Sequence, residues 1–271
     1  EKFCEGCDII IHSAAMISIG LDSYDKVHEV NFTGTKNLLQ ASIKKNVKKF
    51  IYISSVNAYN KKITETTFDE TRELVLRGNA YDVTKAKAQE LVLSSQGIET
   101  ISINPTSVLG KYDFKPSRLG TVIKALHSGE LTFFIDGGLD VVDVEDLSKA
   151  IYSSIRRGKD KESYLVSGKW RSFKEIYGVI KKYSKKKSTV FFFPKFILRL
   201  SLPLLSVMPS YLIKGVAQAT GNFFPGLENM TKEAIENIIN FPKNIDNSKA
   251  KKELGLKISP LEKTIKDSIY E

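Results

Sequence analysis

Soft metal ligands are scarce in this sequence. Its two cysteines, Cys4 and Cys7, stand in a C-x-x-C spacing, and the only histidines are His12, His28 and His127. A zinc site at that pair needs two further sulfur or imidazole ligands. A redox dithiol is expected at a helix N-terminus, whereas Asp8-Ile9-Ile10-Ile11 reads as the start of a strand. No metal is expected. So few cysteines exclude a disulfide scaffold and point to a reducing compartment, so a cytoplasmic location is expected. Long apolar runs are missing too. The greasiest region, Phe191 to Phe224, is broken by Lys195, Arg199, Lys214, Pro194, Pro203 and Pro209. Its longest charge-free stretch, Leu200 to Ile213, falls short of the roughly 20 residues of a bilayer span. The first residues, Glu1-Lys2-Phe3-Cys4-Glu5, show no secretory pattern. There is no internal repeat, and ordinary glycine and proline levels exclude a collagen-like or disordered chain.

What remains is a 271-residue chain, 42% hydrophobic, large enough for an α/β domain with a smaller lobe. Its 41 basic residues outnumber 31 acidic ones, a net charge of +10. That surplus favours anionic partners such as nucleotide phosphates or acidic lipid headgroups. Nucleic acid is not expected, because no recognition motif accompanies the lysines. Most of them, as in Lys44-Lys45, Lys48-Lys49, Lys181-Lys182 and Lys185-Lys186-Lys187, lie beside helical patterns and read as solvated helix faces.

Apolar, strand-like stretches alternate with amphipathic ones. Asp8–His12, Phe50–Ile53 and Glu99–Ile103 read as buried strands, Ser23–Lys45 and Ala80–Ser95 as the helices between them. This rhythm implies a parallel sheet covered on both faces. Beyond Pro105 the spacing predicts helices over Ser117–His127, from the caps at Asp143–Asp146 to Arg156, and over Ser172–Tyr183. Strands are predicted at Leu131–Ile135 and Tyr164–Val166, with a turn at Asp136-Gly137-Gly138. Residues from Thr189 onward read as mostly helical, with a helix start at Thr231 and a stop at Gly255.

Tyr81 and Lys85 are i and i+4, so a helix sets them on one face. A phenol titrates near 10, and a nearby lysine cation favours its phenolate. Ser55 ends a strand, and the carboxyl ends of strands are where open α/β sheets bind ligands. The spacing by itself also fits an ordinary surface tyrosine.

The surrounding segments resemble the extended short-chain dehydrogenase/reductases, the NAD-dependent epimerase/dehydratase family, nearest its dihydroflavonol reductase and 3-beta-hydroxysteroid dehydrogenase branch. The resemblance is carried in order by His12-Ser13-Ala14-Ala15, Asn31-Phe32-Thr33-Gly34-Thr35, Ile53-Ser54-Ser55-Val56, the Tyr81/Lys85 pair, Asn104-Pro105-Thr106-Ser107-Val108-Leu109-Gly110, and Val141 to Asp146. It implies a Rossmann-type doubly wound sheet with a smaller, mainly helical substrate lobe. Residues 1–110 and 140–167 would form the core, and 111–139 and 168–271 the lobe. It implies Tyr81 as general acid/base, Lys85 as the group that lowers its pKa and holds the nicotinamide ribose, and Ser55 as the group that orients the substrate oxygen. NAD or NADP would touch Ala14, Ala15, Asn31, Ser54, Tyr81, Lys85, Asn104, Pro105 and Val108. Ala14, Ala15 and Asn31 also read as packing residues, and Asp143 and Asp146 as structural caps.

One family feature is missing. None of the 17 glycines forms the G-x-x-G-x-x-G turn that binds pyrophosphate at a helix N-terminus. Fewer residues precede Asp8 than the roughly 30 of a β-α-β unit. The sequence thus reads as lacking the fold's first strands. Asp8–Ile11 and Phe50–Ile53 are expected to present an apolar edge, and cofactor binding is expected to be weak. For substrate, the apolar region after Phe191 favours a small lipophilic carbonyl compound or alcohol. A nucleotide-sugar epimerase and a non-catalytic family member are the alternatives. Peripheral docking on a membrane through Lys195, Arg199 and Lys214, and a homodimer, are left open.

Overall fold

The computed structural model describes residues 1–18, 22–61, 67–185, 189–194 and 241–270. In chain order its elements are β1 (Ile9–His12), α1 (Tyr24–His28), a π-helical turn (Glu29–Thr33), α2 (Gly34–Lys44), β2 (Lys49–Ile53), α3 (Ala80–Ser94), β3 (Glu99–Pro105), β4 (Ser107–Leu109) and α4 (Arg118–Ser128). Then follow β5 (Phe133–Ile135), β6 (Gly138–Asp143), α5 (Val144–Arg157), β7 (Glu162–Val166), β8 (Lys169–Ser172), α6 (Phe173–Tyr183) and β9 (Phe191–Phe193). After a second π-helical turn (Ala250–Leu254) comes α7 (Leu261–Tyr270).

β1, β2, β3 and β7 form one parallel sheet in that order. Period-two alternation sorts the side chains of β2: Ile51 packs with Leu147 and Ala150 of α5, while Phe50 and Tyr52 pack with Leu39 of α2 and Ala88 and Val92 of α3. Both faces are thereby covered, as buried parallel sheets require. A second sheet, β4-β6-β8, and a parallel ribbon of β5 with β9 lie by a second core cluster that includes Ile123, Phe173, Ile176 and Ile180.

The helix starts read from the sequence carry their caps. Ser117 accepts from the Gly120 amide, Asp143 from that of Glu145, and Ser172 forms a capping box with Glu175.

Three expectations are corrected. Phe50–Ile53 is no edge: β2 lies between β1 and β3, and Phe50, Ile51 and Tyr52 are buried. Among the described residues the apolar edge is β1, where Ile11 is 46% exposed. The stretch after Thr189 is not helical at its start, because Phe191–Phe193 pairs residue for residue with Phe133–Ile135. Gly138 belongs to β6 rather than to the preceding turn. The apolar residues Phe196 to Ile213, the basic residues Lys195, Arg199 and Lys214, and the helix start at Thr231 lie outside the described residues.

Candidate active site

The chain leaves β2 in extended conformation at Ser55, which caps a short 3-10 turn by accepting from the Asn57 amide at 3.1 Å. Asn79 caps α3 by accepting from the Asp82 amide at 2.9 Å, which sets Tyr81 in the first helical turn. The Ser55 hydroxyl lies near the Tyr81 phenol and favours its ionised form. One turn on, Lys85 is 1% exposed; its Nζ donates to the Ile53 carbonyl at 2.6 Å and stands 4.4 Å from the Tyr52 ring centroid. The helical spacing thus brings both side chains to the carboxyl end of β2.

Burial dominates the electrostatics. It pushes the Tyr81 phenol up to about 12, against the nearby Ser55 hydroxyl and with help from the Asp82 carboxylate. It pulls Lys85 down to about 7. Lys85 is not among the causes of the Tyr81 shift, its amine being held on the Ile53 carbonyl. Asp82 itself is paired with Lys61 at 3.1 Å.

Asn104 and Asn31 are both fully buried, and both brace the site. Asn104 Nδ2 donates to the Ser55 carbonyl at 3.0 Å and to Gln89 Oε1 at 2.6 Å, while its Oδ1 accepts from Ser102. Gln89 Nε2 donates to the Tyr59 hydroxyl, which donates to Ser163 Oγ at 2.9 Å. Ser55 is therefore tied to β3, α3 and β7 by one connected polar network. Asn31 accepts from the Met16 amide and donates to the Met16 carbonyl and to Thr84 Oγ1, fastening the chain after β1 to α3. Thr35 donates to the Asn31 carbonyl and so accepts from His12 Nε2 at 2.9 Å, which places the His12 proton on Nε2.

Ala14 and Ala15 are exposed just past the carboxyl end of β1. Ser54 is buried beside Ser55, and its hydroxyl finds no partner among the described residues. Pro105 is buried at the end of β3. Val108 is half-buried against the core cluster beneath α5. The structure thus gathers Ser54, Ser55, Tyr81, Lys85 and Asn104, and Asn31 reaches the same helix through Thr84. Sequence reasoning missed Gln89, Tyr59 and Ser163. Gln89 extends the Tyr81–Lys85 stripe by another i+4 step, and that spacing was the available signal. Among the described residues, no group of three His, Cys, Asp or Glu side chains is placed to hold a metal, and no helix is long and apolar enough to cross a membrane.

The chain is similar to several known proteins. Sterol demethylase protein B of Methylococcus capsulatus is 25% identical over 262 residues, which cover 93% of this chain and 74% of that protein. A putative dihydroflavonol 4-reductase of Synechocystis is 27% identical over 159 residues, covering 57% of this chain and 46% of that protein. This chain therefore spans about three quarters of the first relative and under half of the second. The crystal structure of gox2253 aligns over 98% of this chain and 78% of its own, with a TM-score of 0.77 at 24% identity, a likeness of fold. The sequence profile of the NAD dependent epimerase/dehydratase family matches residues 1–167, a span that contains every strand of the main sheet and all of Ser55, Tyr81, Lys85 and Asn104. The chain belongs to the NAD dependent epimerase/dehydratase family.

Proposed function

We propose that the protein is a cytoplasmic NAD(P)-dependent oxidoreductase that interconverts a carbonyl and an alcohol on a small lipophilic substrate. Residues 111–139 and 168–271 would form its substrate lobe. The observation that carries this reading is the placing of Tyr81 and Ser55 together at the carboxyl end of β2, with the Lys85 amine one helical turn away on the Ile53 carbonyl. The nicotinamide end of a dinucleotide fits the residues present. Ser54 offers a buried hydroxyl without a partner among the described residues, Lys85 an amine, and Ala14 and Ala15 small exposed surfaces just past β1. When bound, the cofactor supplies or accepts a hydride.

The chain's own residues handle the proton. A substrate oxygen within reach of both hydroxyls is oriented by Ser55 and takes the phenolic proton of Tyr81 as negative charge develops on it. A phenol pushed up to about 12 is protonated at neutral pH, the form needed for donation. Lys85, when charged, stabilises the phenolate left behind. Asn104 and Gln89 hold the Ser55 backbone so that its hydroxyl keeps its aim.

Tyr81→Phe in the whole protein tests this. NAD(P)H consumption with a panel of lipophilic ketones is expected to fall by about 10²–10⁴-fold, while cofactor affinity, read by nucleotide fluorescence, stays near the wild-type value. Undiminished turnover would sink the role of Tyr81. Conversion of a nucleotide sugar with no net change in NAD(P)H would replace the reductase reading with an epimerase.

A further inference from the structure

One large side chain beside Lys85 has no part in the proton transfer. Tyr52 lies on β2, and both it and Lys85 are 1% exposed. The Lys85 Nζ stands 4.4 Å from the Tyr52 ring centroid while it donates to the Ile53 carbonyl. Among the described residues no carboxylate forms an ion pair with it. The face of an aromatic ring carries negative charge density and attracts a cation, most strongly where water is excluded. The Tyr52 hydroxyl has no hydrogen-bond partner among the described residues, so the ring makes the polar contact and the phenol group does not.

The other groups around the amine are neutral near pH 7. From β1, His12 pairs across the sheet with Tyr52, their ring centroids 5.7 Å apart. Burial, with the Lys85 charge nearby, pulls His12 down to about 4. Behind His12 stand the uncharged Thr35 and Asn31. On α3 itself Tyr81 keeps its proton, and the Asp82 carboxylate is engaged by Lys61. Burial pushes the Tyr52 phenol up, so it stays neutral too. In such surroundings an ammonium discharges readily, and burial brings Lys85 down to about 7. The Tyr52 ring opposes that loss, because it attracts the charged form and not the neutral amine.

We infer, on the oxidoreductase reading of Tyr81 and Lys85, that Tyr52 is a positioning residue whose ring face holds Lys85 as the cation that stabilises the Tyr81 phenolate.

Two measurements on the full chain separate this role from plain packing. The first is the pH dependence of kcat for NAD(P)H-linked ketone reduction. The ring favours the charged amine, so removing it lowers the pH at which Lys85 discharges. Tyr52→Leu is expected to move the alkaline limb down by about one pH unit. Turnover then falls about tenfold near pH ~8 and changes little below pH ~5.5. Tyr52→Phe keeps the ring face and is expected to return the limb to its wild-type place. Pentafluorophenylalanine in place of Tyr52 keeps the shape and inverts the charge of the ring face. It should move the limb as leucine does, and it serves if the leucine variant misfolds. The second measurement is an NMR titration of isotope-labelled lysine side chains, which needs no substrate. The Lys85 signal, assigned by its loss in Lys85→Met, should titrate about one pH unit lower in Tyr52→Leu than in wild type. A lowered midpoint in a protein that reduces no ketone would keep the hold of the ring on Lys85 and remove the oxidoreductase reading. An unmoved Lys85 midpoint overturns the inference, as does a loss of turnover that is equal at every pH.

Discussion

Lys85 is where chemistry and stability pull apart. Its ammonium is enclosed almost completely, with one backbone carbonyl and one ring face for company. Burial brings it down to about 7, while a lysine in the unfolded chain stays protonated to about 10.4. Between those values the unfolded state holds a proton that the native state lacks, so this residue's contribution to stability rises with pH. Below about 7 both states are charged, and the native state bears the whole desolvation penalty. Lys85→Met is therefore expected to raise the unfolding free energy by about 1–2 kcal/mol and to remove activity. The gain should be larger at pH 6 than at pH 9 in denaturant titrations. A variant less stable than wild type at pH 6 would refute this. The pair itself was legible, since i, i+4 spacing and Ser55 at a strand end are written in the sequence. Gln89 was not singled out, because an amide one step further along the same stripe has no chemistry of its own. Its place appears only once Asn104 arrives from β3.

At the level of elements, β1, β2, β3, α2 and α3 were legible from unbroken apolar strands and a clear helical period. β4, β8 and β9 were not. Each has three or four residues, too few to show a period, and each is set by its partner strand. The packing of these short strands leaves little room. At Gly168, between β7 and β8, an added Cβ would stand 1.7 Å from the Val141 carbonyl oxygen of β6. Both atoms are held by backbone, so no side-chain rotation relieves the clash. Gly168→Ala is expected to destabilise the protein by about 3 kcal/mol or more, measured by thermal unfolding. A shift in Tm of under about 2 °C would show that β6 and β8 can slide apart.

Across the whole molecule, the acidic pair after β6 has a second use. Asp143 caps α5 and also accepts from Thr264 Oγ1 of α7 at 2.7 Å, 121 residues away. Asp146 accepts from the Ser259 amide and hydroxyl. The capping role was readable locally. The clasp was not, because no local pattern encodes a partner at that separation. Asp143→Ala removes a cap and leaves the buried Thr264 hydroxyl only the Pro260 carbonyl at 3.5 Å, so a loss of about 2–3 kcal/mol is expected, with α7 becoming the first site of proteolytic cleavage. Proteolysis that spares α7 in this variant would argue against the clasp. The network behind Ser55 has a consequence in the time domain. Its members come from β2, α3, β3 and finally Ser163 of β7. A nascent chain that has not yet delivered β7 leaves the Tyr59 hydroxyl without its acceptor and β3 without its neighbour. The serine gains its fixed seat only when β7 joins β3 and supplies Ser163.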